Sequence, residues 1–385
     1  MYTINKITNA RIAFLLFTIA LFFIDYSKTG CYFLFLLLID FMLHFNQFGR
    51  YFDPRFGSIL LFALLYYFFA WIGGLVPFGY SSIIYPVIMI PLIYLYGRWF
   101  GEHILEINLH RVVFYGAFCV ALIPLVSVLY NIGQNGFAVD YRNMALMGYD
   151  TVTAATGIGE GLVMLSVFLF SFLADFGKKE KWLYTIMAVI AFICGLRIQT
   201  RTLVVVCLIV IAICLLFNTM NNKKNNNNGL WNIIIIAALI GVGWWAYNKY
   251  SDLLLIMDRF QSEDIRTGNS RTVLSRLVFS QIPDYPFGGN PTKIYAHNLW
   301  LDVTRVAGII PSIILIMISI SSIKDTIKII LSRRTMLVTK QLFLGITTAF
   351  ISAMFVEPII EGAWQLFLFY LFYIGIGVSV RKLYS

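Results

Sequence analysis

Apolar runs of membrane-crossing length dominate this chain. They fall near residues 9–25, 30–48, 57–76, 82–97, 111–130, 157–176, 182–198, 201–218, 230–248, 297–320, 341–357 and 362–380. A bilayer core about 30 Å thick takes roughly 20 apolar residues per helix. Only a helix satisfies every backbone group within such a run. Charge is too sparse for the alternatives: 12% of residues are charged, against about 25% in an ordinary soluble domain. That excludes a soluble enzyme, a disordered chain and a nucleic-acid binder. The expectation is an all-α polytopic integral membrane protein with about twelve transmembrane helices, residues 1–385 forming one transmembrane domain. The N-terminal run, with Lys6 and Arg11 before it, reads as the first membrane helix, since no small-residue cleavage site follows.

Lys and Arg orient the spans. An inside N-terminus places Lys6, Arg11, Arg50, Arg55, Arg98, Arg111, Lys178, Lys179, Lys181, Lys223, Lys224, Lys324, Lys328, Arg333, Arg334, Lys340, Arg381 and Lys382 inside, 18 of the 29. Both ends then lie on the inner side. The net charge of +10 follows largely from these loops, and no nucleic-acid motif accompanies it.

Two outer regions break the rule. One is the turn carrying Arg197 and Arg201. The other is the long connection 249–296, between the ninth and tenth runs, with Arg259, Arg266, Arg271 and Arg276. Cations placed against the usual bias point to an anionic ligand on the outer face. Within this loop, Val273, Leu274, Leu277, Val278 and Ile282 recur at helical spacing, which predicts an amphipathic helix at the membrane–water interface. The turn residues Pro283 to Gly289 end it.

Several residues carry candidate chemistry. His297 stands where the loop returns to the membrane. An imidazole there either deprotonates a sugar hydroxyl or bonds a loop carbonyl. Arg197 and Arg201, four apart, share a face if helical. Their guanidinium forks suit a pyrophosphate, or they snorkel to lipid head groups. Arg266 and Arg271 offer the same choice between ligand and lipid. Asp302 and Arg305, one turn apart in the tenth run, read as an intrahelical pair or as functional charge. Asp40 and His44 read as a buried pair before a proton relay. Arg142 and the glycines around Gly157-Ile158-Gly159-Glu160-Gly161 mark a second outer loop, read as turn chemistry before a substrate contact. Glu102, His103, Glu106 and His110 match no metal signature. No metal and no cofactor are expected. Cys31, Cys119, Cys194, Cys207 and Cys214 show no paired spacing and read as small apolar packing residues.

Absences narrow the chemistry. No Walker A motif occurs, so ATP does not drive the chain directly. No Asp-x-Asp occurs either. A reaction here starts from an activated donor, with arginines neutralising the leaving group.

One ordered set of motifs remains: Thr200-Arg201-Thr202 before an apolar run; Asn269-Ser270-Arg271 in the outer loop; Ile282-Pro283-Asp284-Tyr285-Pro286-Phe287-Gly288-Gly289; then His297-Asn298-Leu299-Trp300-Leu301 and Gly308. This order resembles the O-antigen ligase and Wzy-type O-antigen polymerase superfamily of bacterial inner membranes. The resemblance covers residues 185–312, and the topology accords over the rest. It implies a periplasmic active site, with 249–296 as a large periplasmic loop and both termini cytoplasmic. It implies metal-independent, inverting glycosyl transfer from undecaprenyl diphosphate. Carried over by position, Arg201 and Arg271 hold the donor diphosphate and His297 is the general base. From local chemistry, off the motif positions, Arg197 and Arg266 join the diphosphate-binding set, and Arg276, Arg305, Asp302, Asn298 and Arg142 are secondary candidates. The implied partners are an undecaprenyl-diphosphate-linked oligosaccharide donor and acceptor, membrane lipid, and a polysaccharide chain-length regulator as a further candidate. The first expectation is a polymerase extending a surface polysaccharide, with the ligase to lipid A-core as alternative. From another class, a flippase or transporter of lipid-linked oligosaccharide suits the helix count. It would place ionisable groups along a central path instead of at one face.

Overall fold

The computed structural model describes residues 6–75, 84–103, 109–137, 143–149, 152–221, 271–291 and 295–384. Nearly all of them are helical. The helices are α1 (Lys6–Ile24), α2 (Gly30–Leu43), α3 (Phe45–Phe48), α4 (Pro54–Ile72), α5 (Ile84–His103), α6 (Leu109–Asn135), α7 (Ala155–Val167), α8 (Lys178–Arg197) and α9 (Arg201–Asn221). After the undescribed stretch come α10 (Arg271–Ser280), α11 (Leu299–Ala307), α12 (Ile309–Leu331), α13 (Leu337–Val356), α14 (Ile359–Gly362) and α15 (Trp364–Tyr384). One two-residue hairpin, β1 (Met144–Ala145) with β2 (Val152–Thr153), pairs antiparallel.

Eleven of the apolar runs overlap described helices, and the run 230–248 lies outside the described residues. Six described helices are long and apolar enough to cross a membrane: α4, α6, α7 with its 3-10 extension to Phe172, α9, α13 and α15. A seventh is added if Tyr32–Leu43 and Phe45–Tyr51 form one span, although they bend by 88°. The chain is thus a multi-pass, membrane-embedded helical protein. The bend departs from the straight run expected over 30–48. It sits at His44, whose φ of −120° and ψ of 24° leave helical geometry. There Nδ1 of His44 bonds the Asp40 carbonyl at 2.9 Å. Asp40 is also gripped by Nε and Nη2 of Arg11, each at 2.9 Å, so the buried Asp40 is a structural knot with His44 at its half-exposed edge.

The run 297–320 differs as well. It is two helices, broken at Gly308, whose φ is 86°. A residue with a Cβ rarely adopts that conformation.

The centre of the bundle is the parallel pair α5 and α15. Gly97 and Gly101 form a G-x-x-x-G face on α5, and Gly375 and Ser379 answer it from α15. A Cβ on Gly97 would overlap the Phe372 carbonyl, and one on Gly375 would overlap that of Tyr94. Small residues bring the two backbones together where lipid offers no hydrophobic drive for association. Arg98 Nε then donates to Ser379 Oγ at 3.0 Å. Around α15 pack Phe23, Phe62 and Phe350, edge-on or tilted against Phe367, Phe369 and Phe372.

The helices run so that ion pairs gather at two opposite ends. One end holds Arg55–Asp325, Arg98–Asp53, Arg111–Glu180 and Arg381–Asp325. The other holds His297–Glu357 and Arg305–Glu361. Cys119, Cys194, Cys207 and Cys214 are buried and free, as packing residues are, and the side chain of Cys31 lies outside what is described.

Candidate functional site

The turn Pro283–Gly289 docks on the break at Gly308. Ile309 N–H donates to the Pro286 carbonyl at 3.0 Å, and Gly289 N–H donates to Val306 O at 3.1 Å. Asn290 N–H adds a bond to Arg305 O at 3.2 Å. A Cβ on Gly308 would stand 2.5 Å from the Pro286 carbonyl oxygen, so the break and the turn fit only with glycine there. Two motifs separate in sequence are therefore one joint in space. The amphipathic helix expected in the loop is present as α10, and Ser275 Oγ ties it to the Ala296 carbonyl at 2.7 Å.

This joint sets His297. Its φ is 51°, a conformation that persists only when its surroundings over-determine it. Asp302 supplies much of that constraint. Its Oδ1 accepts from Ala296 N–H at 2.8 Å and its Oδ2 from Asn298 N–H at 3.3 Å, one on each side of the histidine. Asn298 caps α11, accepting from Leu301 N–H at 3.1 Å. Its Nδ2 reaches the Phe355 carbonyl at 3.3 Å, which ties the start of α11 to the end of α13.

The imidazole is 24% exposed, and its Nδ1 lies 3.6 Å from Oε2 of the buried Glu357. The other carboxylate oxygen of Glu357 accepts from the Thr202 hydroxyl. Thr202 follows Arg201, the first residue of α9. His297, Glu357 and the Arg201 end of α9 thus meet at one end of the bundle. Glu160, on α7, is buried there too, its carboxylate against Gly362.

Arg197 and Arg201 do not share a helix face. Helix α8 ends at Arg197, Gln199 turns with φ of 58°, and α9 begins at Arg201. Arg197 is buried, its Nε donating to Gly136 O and its Nη2 to Asn131 Oδ1, both at 3.2 Å. Those contacts close the end of α6. Arg305 spends its guanidinium on Glu361, with Nη2 at 2.6 and 2.7 Å from the two oxygens, and on Asp302, with Nε at 3.5 Å. Tyr295 stacks beneath it. Burial pushes Glu361 up to about 7, against the pull of Arg305. Arg276 is exposed on α10. The backbone of Arg271 starts α10, but its side chain lies outside what is described, as do Arg142, Arg266 and Glu106. Among the described residues no cluster of metal-ligating side chains occurs.

Glu357 and Glu361 were not among the sequence candidates. They are the only acidic residues between Leu337 and Tyr384. Two carboxylates one turn apart, interrupting the last apolar stretches, are a signal for a built polar site.

Compared with known proteins, the sequence matches no family model. No curated protein matches it either.

Proposed function

We propose that the chain is a surface-polysaccharide polymerase of the bacterial inner membrane, with about twelve spans, cytoplasmic termini and a periplasmic site. It moves a growing glycan from undecaprenyl diphosphate to the non-reducing end of a new lipid-linked repeat unit. The observation that carries the reading is the approach of His297 to buried Glu357, itself bonded to the residue after Arg201.

In this reading the acceptor hydroxyl oxygen attacks the anomeric carbon as the bond to the diphosphate breaks. The hydroxyl proton passes to Nε2 of His297. Negative charge grows on the departing diphosphate, where Arg201 and Arg271 stabilise it. Glu357 faces the opposite ring nitrogen, so it orients the ring and favours the imidazolium that forms. Asp302 holds the histidine backbone, and Arg305 with Glu361 braces Asp302. Helix α10 lies where lipid-linked diphosphates meet the bundle.

The test is the banding of surface polysaccharide from a deletion strain complemented with wild type or with His297→Ala, at equal membrane levels. A long ladder from wild type, with core plus a single repeat from the variant, supports the polymerase. Core with no repeat from the variant moves the assignment to the ligase or the flippase. A full ladder from the variant removes His297 from the chemistry.

A further inference from the structure

At the end of the bundle away from His297, residues of α4, α12 and α15 line an open cavity of about 450 Å³. Its wall carries Arg55, Arg381 and Lys382 beside the hydroxyl residues Ser58 and Ser321. A second cavity of about 600 Å³ shares Arg381 and Lys382 and adds Lys328.

The charges in this region do not balance. Asp325 is shared by Arg55 and Arg381, the latter through Nη1 at 2.8 Å. Asp53 is shared by Arg98 and Lys382, the latter at 3.9 Å. With Lys328, five cations stand against two carboxylates, an excess of three among the described residues. Both carboxylates serve the fold first. Asp53 caps α4 by accepting from Phe56 N–H, and Asp325 is 3% exposed.

Apolar surface leads away from the cavity. Leu61, Leu64 and Phe68 continue the exposed face of α4 one turn after another beyond Ser58. Met317, Ile313 and Ile310 do the same on α12 from Ser321. A soluble anion has no use for such a track, whereas an acyl chain does. The excess of positive charge selects a head group with net negative charge over a zwitterion.

We propose that this pocket is a binding site for an anionic phospholipid, its phosphate between Arg55, Arg381 and Lys382 and an acyl chain along α4 and α12. The site is independent of the polymerase chemistry.

The test uses the full chain, purified in a neutral detergent and offered dioleoylphosphatidylglycerol or dioleoylphosphatidylcholine. Native mass spectrometry counts retained lipid, and thermal unfolding reports its effect. The expected result is retention of phosphatidylglycerol over phosphatidylcholine, with a raised melting temperature. Affinity falls about twenty-five-fold in Arg381→Gln/Lys382→Gln, from about fivefold for each charge removed. It stays unchanged in Lys178→Gln/Lys179→Gln, which removes two cations from another helix. Should the double variant fold poorly, Lys382→Gln alone, on a half-exposed side chain, is expected to lose about fivefold. Full affinity in Lys382→Gln, or equal loss in the Lys178/Lys179 control, overturns the site. A thermal shift from inorganic phosphate alone, lost in the same pocket variants, replaces the lipid with a soluble phosphate ligand.

Discussion

Nδ1 of His297 lies 3.6 Å from Oε2 of Glu357, joining the entry to α11 with the end of α13. If this pair drives the proposed transfer, His297→Ala lowers the rate by on the order of 10²–10⁴, the range for removing a general base. Glu357→Gln keeps the shape but loses the charge. It is expected to lower kcat with KM unchanged, and Glu357→Asp should restore part of the loss. Polymerisation in proteoliposomes with lipid-linked repeat units measures both. A Glu357→Gln enzyme with full kcat removes the carboxylate from the mechanism.

Asp302 acts on His297 through the backbone. Asp302→Ala leaves the amides of Ala296 and Asn298 without their acceptor, which costs about 2–4 kcal/mol for a buried charge-assisted pair. The variant should melt lower in detergent and lose polymerisation together. Asp302→Asn keeps one acceptor oxygen and should recover part of both. Retained activity in Asp302→Ala, at any melting temperature, contradicts the positioning role.

The raised Glu361 gives stability a pH dependence with a definite sign. Its value moves from the ordinary 4.5 to about 7 in the folded chain because burial penalises the carboxylate. Between those values the folded state holds a proton that the unfolded state has released. Stability is therefore greatest below pH 4.5 for this group and falls as pH rises to 7. The total change is about 3 kcal/mol. Glu361→Gln should flatten the profile across this window. Chemical unfolding in detergent at stepped pH reads the slope, and an unchanged slope in the variant assigns it to another group.

Glycines divide by what surrounds them. Gly97→Ala drives a methyl into the Phe372 carbonyl and should cost several kcal/mol, near the upper end for overpacking, about 3 kcal/mol. Gly57→Ala, on the exposed side of α4 with open space around it, should be neutral or add up to about 1 kcal/mol. Melting temperatures of the two variants, side by side, check the contrast. Equal behaviour would mean the α5–α15 contact yields more than its geometry suggests.

Much of this architecture was readable from residue order. The apolar runs at 57–76, 111–130 and 201–218 became α4, α6 and α9 because a sustained apolar run has few other options in a bilayer. The amphipathic spacing at 270–282 became α10 for a similarly local reason. Breaks were harder. Gly308 stands last in the ordered motifs, yet it lies inside the apolar run 297–320, so no break is expected there. Its role follows from the turn at Pro286, a contact no local pattern announces. Arg197 and Arg201 looked like neighbours on one face, but Gln199 turns the chain between them. The His297 partner was missed for a related reason. Glu357 is far along the chain, and only the meeting of α11 with α13 makes it a neighbour.

The contact between α5 and α15 also has a consequence in time. Arg98 and Ser379 bond across a separation of 281 residues. At a synthesis rate of about 5–20 residues per second, α5 waits on the order of tens of seconds before its partner exists. Throughout that interval the Gly97–Gly101 face is open to any passing helix with small residues of its own. A chain stopped before α15 leaves the Gly97–Gly101 face of α5 without the helix that covers it in the fold.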